Sequence, residues 1–206
     1  MEMLSSLGVL MGSSWASGIN LYLTTASLGV AHRMEWIVLP GNMESLANPL
    51  VIGAALLLFA IEFFADKVPY IDSAWDSVHT FIRPAGGMLL GYMAMADVGP
   101  AMQYPVALLT GTIAMDSHLM KATSRAAINT SPEPVTNVVA SVTEDVGVLG
   151  AMYLVIKHPV VVSILVILFI LFSIWFLKKM FSFLKKVFRK EKVQPLETQQ
   201  SNSVEA

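Results

Sequence analysis

Residues 158–177 read HPVVVSILVILFILFSIWFL, with no charged side chain between His158 and the end of the stretch. About 20 helical residues span a hydrocarbon core roughly 30 Å thick. The rest of the chain is of the same kind. Its 206 residues are 55% hydrophobic and only 14% charged, with mean hydropathy +0.63. A soluble domain carries roughly 25% charged residues. The composition therefore predicts an all-α polytopic membrane bundle, with one transmembrane domain over 1–177.

The residues after this span set its orientation. Positions 178–192 read KKMFSFLKKVFRKEK, with seven bases (Lys178, Lys179, Lys185, Lys186, Arg189, Lys190, Lys192) against Glu191. A basic run beside a span marks the cytoplasmic side and attracts anionic lipid head groups. Its apolar residues recur at helical spacing, as in an amphipathic juxtamembrane helix. A plain topology anchor is a simpler account of the run than a specific lipid-binding switch. Residues 193–206 are polar and are expected to be disordered.

Working toward the N-terminus, six apolar segments emerge: 4–31, 49–66, 84–98, 101–121, 143–156 and 158–177, with a polar connection over 122–142 that has room for a short helix after Pro134. The third and fifth are short, so four to six crossings fit, with amphipathic or re-entrant helices between them. Six would put both termini in the cytoplasm. The first segment is interrupted at Ser17-Gly18-Ile19-Asn20. A glycine at mid-span breaks or kinks a helix, and Asn20 needs a partner there. The N-terminus lacks the basic region of a signal peptide and reads as the start of the first helix.

The second segment runs into IEFFADKVPYIDSAWDSVHTFIRP, residues 61–84. Asp72, Asp76, His79 and Arg83 are spaced 4, 3 and 4 apart and share one helix face. With Lys67 they read as structural or interfacial groups on a short amphipathic helix over 69–83. Glu62 and Asp66 are different. They lie one turn apart inside the end of a span, where a carboxylate pair shares a proton, holds a cation or pairs with Lys67, Lys121 or Arg83. Asp116 and His118 close the fourth segment, and Glu144 and Asp145 open the fifth. With Asn20, these residues are the candidate substrate- or ion-binding set, because buried carboxylates and broken helices build solute sites at membrane depth. The competing reading is a set of salt bridges that lock helices together in a lipid-associated scaffold.

Several classes are disfavoured. The chain has no cysteine, and it lacks G-x-S-x-G, P-loop and dinucleotide patterns. No enzyme activity, cofactor, metal site or nucleic-acid partner is expected. Glycines at 86, 87 and 91 permit close helix contacts within one chain or in a homo-oligomer.

The stretch EFFADKVPYIDSAWDSVHTFIRP, with GG soon after it, resembles a bacterial integral-membrane family known only as domain of unknown function 4126. SGINLYLT (17–24) and SVTEDVG (141–147) are similar to the same pattern. The resemblance covers about residues 10–157 and leaves the last span as a less characteristic extension. It implies a multi-pass bacterial inner-membrane protein and brings no established activity. Glu62 to Lys67 is also loosely similar to the Glu-x-Gly-Asp-Lys motif of membrane cation exchangers. Here the acids are one residue further apart and Ala65 replaces the glycine. The leading functional expectation is a small secondary transporter or permease.

Overall fold

The computed structural model describes residues 2–130 and 134–191. Among these the fold is all-α. Seven α-helices follow in order: α1 Glu2–Ile19, α2 Leu21–Arg33, α3 Pro49–Ala65, α4 Pro69–Ala94, α5 Pro100–Ile128, α6 Pro134–Lys157 and α7 Pro159–Glu191, with a 3₁₀ helix Gly41–Ala47 before α3. Five of the helices begin on proline. Its missing N–H and fixed φ suit the first helical position, where no intrahelical bond is lost. Asparagine caps two starts: Asn20 Oδ1 accepts from the Leu23 N–H, and Asn48 Oδ1 from the Leu50 N–H. The tail 193–206 lies outside the described residues.

Helix α1 is central and packs on α4, α5, α6 and α7. Its Ser13, Ser14 and Ser17 are buried, and each hydroxyl donates to a carbonyl of its own helix. The tightest pairing is α4 with α5. Side chains built at Gly87 and Gly91 would collide with Thr110 and the α5 backbone, so these glycines serve contact within the chain. Gly18 meets Ser117 and the Ala114 carbonyl in the same way.

The helices of this bundle turn their apolar faces outward. Phe81, Leu50, Leu108, Val146 and Leu171 are exposed on α4, α3, α5, α6 and α7. Among the described residues, two helical stretches are long and apolar enough to cross a membrane: Val135–Lys157, and Pro159–Phe183 with mean hydropathy 3.1. The 3₁₀ helix and α3 meet at 70° and make a third if the pair is one span. Both α4 and α5 are long enough, but neither is apolar enough to join this set.

Two expectations change. The separate helix 69–83 and span 84–98 are one helix, α4, which runs through Pro84. The polar connection expected over 122–142 is largely helical, divided between α5 and α6. Thr123, Arg125, Asn137 and Ser141 within it are buried, so hydropathy alone mistook a buried stripe for a loop.

Candidate functional site

The face of α4 expected to lie at the aqueous interface points into the protein. Asp72, Asp76, His79 and Arg83 are all buried, while Val78 and Phe81 on the same helix are exposed, Phe81 at 79%. This is the reverse of a soluble amphipathic helix. Charges take this position only when paired.

The pairing is dense. Arg83 Nη2 donates to Glu62 Oε1 at 2.6 Å, and Arg83 Nη1 lies 3.5 Å from Asp76 Oδ1. Lys121 Nζ is 2.7 Å from Asp66 Oδ2, 3.5 Å from Glu62 Oε1 and 3.5 Å from Glu144 Oε2. Arg125 donates from Nε and Nη2 to the two oxygens of Glu144, at 3.1 and 3.0 Å. It also lies 3.6 Å from Asp66 and 3.8 Å from Asp72. Five carboxylates thus meet three bases, contributed by α4, α5, α6 and the C-terminal end of α3 including its cap Asp66. If all are ionised, two negative charges remain. Asp72, in the first turn of α4 and outside the apolar spans, has its carboxyl pushed up to about 6 by burial, against the opposing pull of Arg125 and the Asn129 hydrogen bond.

The histidines are held by this network. A guanidinium only donates, so His118 Nδ1 accepts from Arg83 Nη1 at 2.9 Å. Its Nε2–H then donates to Thr80 Oγ1 at 3.0 Å, whose own proton goes to the Asp76 carbonyl. His79 Nδ1 donates to the Trp75 carbonyl and its Nε2 accepts from the Tyr22 hydroxyl.

The break between α1 and α2 lies against the same cluster. Asn20 has extended backbone (φ −146°, ψ 99°). The last carbonyls of α1 lose their helical partners there, and Gly18 O accepts from Arg83 at 3.2 Å, with Ile19 O accepting from Lys121 at 3.4 Å. These cations face the negative end of the α1 dipole. Asn20 Nδ2 donates to Asp145 Oδ1 at 3.0 Å, which ties the break to α6.

Of the expected candidates, Glu62, Asp66, His118 and Glu144 come together, and Asn20 and Asp145 flank them. Asp116 does not join. Its Oδ1 accepts from Ser173 on α7 at 2.6 Å. Lys67 does not pair with Glu62 or Asp66 either. Its ammonium donates to the Phe63 carbonyl and sits 2.9 Å over the Phe63 ring. Sequence reasoning passed over Arg125, Asn129 and Asn137, which lay in the supposed loop. Arg125 Nη1 donates to Asn137 O and Oδ1, and Asn137 donates to Asn129. One signal was available: His118, Lys121, Arg125 and Asn129 fall 3, 4 and 4 apart, a one-face helical pattern of the same kind as that on α4.

Among the described residues, no three His, Cys, Asp or Glu side chains are grouped to hold a metal ion. A charged core inside an apolar exterior is the design of a membrane-type helical protein. The pattern of the family described as Domain of unknown function (DUF4126) matches residues 7–179, and the chain belongs to that family. The match takes in most of α7, which the resemblance alone had set aside. No curated protein and no solved structure matches the chain.

Proposed function

We propose that this protein is a multi-pass inner-membrane protein that carries a small ion or solute, a small secondary transporter or permease coupled through its buried carboxylates. The supporting observation is the break at Asn20, set against a buried network in which five acids meet three bases. Broken helices whose free ends face charged groups are how transporters hold ions at membrane depth. In this reading Glu62 and Asp66 take up and release the coupling proton or cation, with the Lys121 ammonium as their resident counter-ion. Glu144 and Arg125 respond, and Asn20 with Asp145 is the joint about which α1 and α2 move. The chain crosses six times, with α1 and α2 as one broken crossing.

In this reading the C-terminus lies in the cytoplasm, which the basic run after Leu177 supports. Helix α7 continues past Leu177 to Glu191, and Lys179 Nζ stands 4.5 Å over the Trp175 ring. That arrangement suits anionic head groups at the membrane surface.

The test is charge or proton movement across proteoliposomes under imposed pH and cation gradients. Wild-type flux lost in a folded Glu62→Gln variant supports the reading. Flux unchanged in Glu62→Gln and Asp66→Asn removes these residues from it.

One observation favours the second reading, a non-transporting scaffold. Arg83, Lys121 and Arg125 each touch at least two carboxylates, so the network also knits the helices into one body. Cysteine introduced beside Glu62, in this cysteine-free chain, separates the two. Labelling by a water-soluble reagent supports a transport cavity, and protection supports the scaffold.

A further inference from the structure

A cavity of about 200 Å³ opens between α4 and α5, lined by Ser73, Asp76, Ser77, Thr80 and Arg125 together with Ala122 and Ala126. Ser73 and Ser77 are exposed, and Asp76, 4% exposed, is buried beneath them. Asp76 Oδ1 faces Arg83, while Asp76 Oδ2 is buried without a hydrogen-bond partner.

The chemistry of the wall decides the sign of a ligand. Ser73 Oγ gives its proton to the Pro69 carbonyl, Ser77 Oγ to the Ser73 carbonyl and Thr80 Oγ1 to the Asp76 carbonyl. Each hydroxyl has one proton, so these oxygens can only accept further bonds. Arg125 is spent as well. Its N–H groups are directed to Glu144, Asn137 and the Asp66 carbonyl. An anion would find no free donor here. A cation would find the unpartnered Asp76 oxygen and the remaining lone pairs of three hydroxyl oxygens, with Ser73 Oγ already accepting from Asn129 Nδ2 and Thr80 Oγ1 from His118 Nε2. The Arg125 charge in the wall is met by Asp66 and Glu144, in a network that carries two surplus negative charges when all its groups are ionised. A divalent ion normally recruits several carboxylates, and only one lines this cavity.

We propose that this cavity binds a monovalent cation, with Asp76 as the charged ligand and Ser73, Ser77 and Thr80 as hydroxyl ligands. This site deepens the transport reading, since it places the coupling cation at the α4–α5 edge of the network, joined to Glu62 through the two salt bridges of Arg83.

Binding is tested without flux, on the full chain in detergent. The thermal midpoint is followed by tryptophan fluorescence in NaCl, KCl or NH₄Cl, with choline chloride holding ionic strength constant. A saturable rise over choline is expected for at least one small cation. It is expected to vanish in Asp76→Asn. Ser77→Ala, an exposed change that leaves the fold intact, is expected to weaken the apparent affinity about tenfold (about 1.4 kcal/mol), which keeps the test decisive if Asp76→Asn does not fold. Equal midpoints in all four salts for folded wild type overturn the proposal, as does a full response in Asp76→Asn. Cation binding without flux removes the transport reading and leaves the site standing. Flux without cation-specific binding does the reverse.

Discussion

Arg83 and Glu62, 21 positions apart and on different helices, form a 2.6 Å ion pair in which both side chains are fully buried. The same guanidinium serves Asp76, His118 and the freed carbonyl of Gly18. Removing one partner of a buried pair leaves an uncompensated charge, at a cost of about 3–5 kcal/mol. Arg83→Met is therefore expected to lower the SDS concentration at which the detergent-solubilised protein unfolds, and by more than Glu62→Gln does. An unchanged midpoint would contradict the central placement of Arg83.

Lys121 and Asp116 lie close together on α5 but have different neighbours. Lys121→Met takes from Asp66 its 2.7 Å partner and from Glu62 and Glu144 their second base, so a loss of several kcal/mol is expected. Asp116→Asn keeps an acceptor for Ser173, and a change of about 1 kcal/mol or less is expected. Comparing the two unfolding midpoints checks the division of the charged residues into network and bystander.

Asn20 performs two tasks at the break. Asn20→Ala removes the α2 cap and the hydrogen bond to Asp145. A loss of about 1–3 kcal/mol is expected, with faster backbone hydrogen exchange at the start of α2. Asn20→Asp is expected to keep the cap but to be no better tolerated, because it sets a second carboxylate against Asp145.

Gly18 and Gly91 lie where helices approach too closely for a Cβ. Gly18→Val and Gly91→Val are expected to destabilise by several kcal/mol, because the atoms in the way include backbone carbonyls that cannot swing aside. Gly53 has open space around it. Gly53→Ala is expected to be neutral or slightly stabilising, and serves as the control in the same unfolding assay.

Asp72 carries a pH signature. Its carboxyl titrates higher in the folded protein (about 6) than its ordinary value of 3.8. The folded state therefore holds the proton more tightly, and this group's contribution to stability falls as pH rises from about 4 to 6. Asp72→Asn is expected to remove that slope and to raise stability at pH 7 by at most about 3 kcal/mol. A steeper slope in the variant would reverse the assignment. Unfolding midpoints at pH 4.5 and 7 decide it.

Much of the fold was legible because its causes are local. The apolar run after His158, the prolines that open five helices, and the Gly18-Asn20 interruption each act within a few residues. The i, i+3 and i+4 spacing of Asp72, Asp76, His79 and Arg83 was visible too, but the direction of that face was not. A charged stripe reads the same whether it meets water or the charges of other helices. Arg125, Asn129 and Asn137 were misread for the same reason: polarity resembled a loop.

The sequence by itself determined an apolar all-α chain, the positions of most helix starts and the break at Asn20, since composition, capping and proline geometry act through neighbours along the chain. Tertiary structure alone decided that the charges face inward, that Glu62 meets Arg83 and Lys121 rather than Lys67, and that Asp116 turns to Ser173. Those outcomes depend on which helices lie side by side and how closely Gly18, Gly87 and Gly91 let them approach. Coulomb and hydrogen-bond energies act across space between residues far apart in the chain, and no spacing along the chain encodes them.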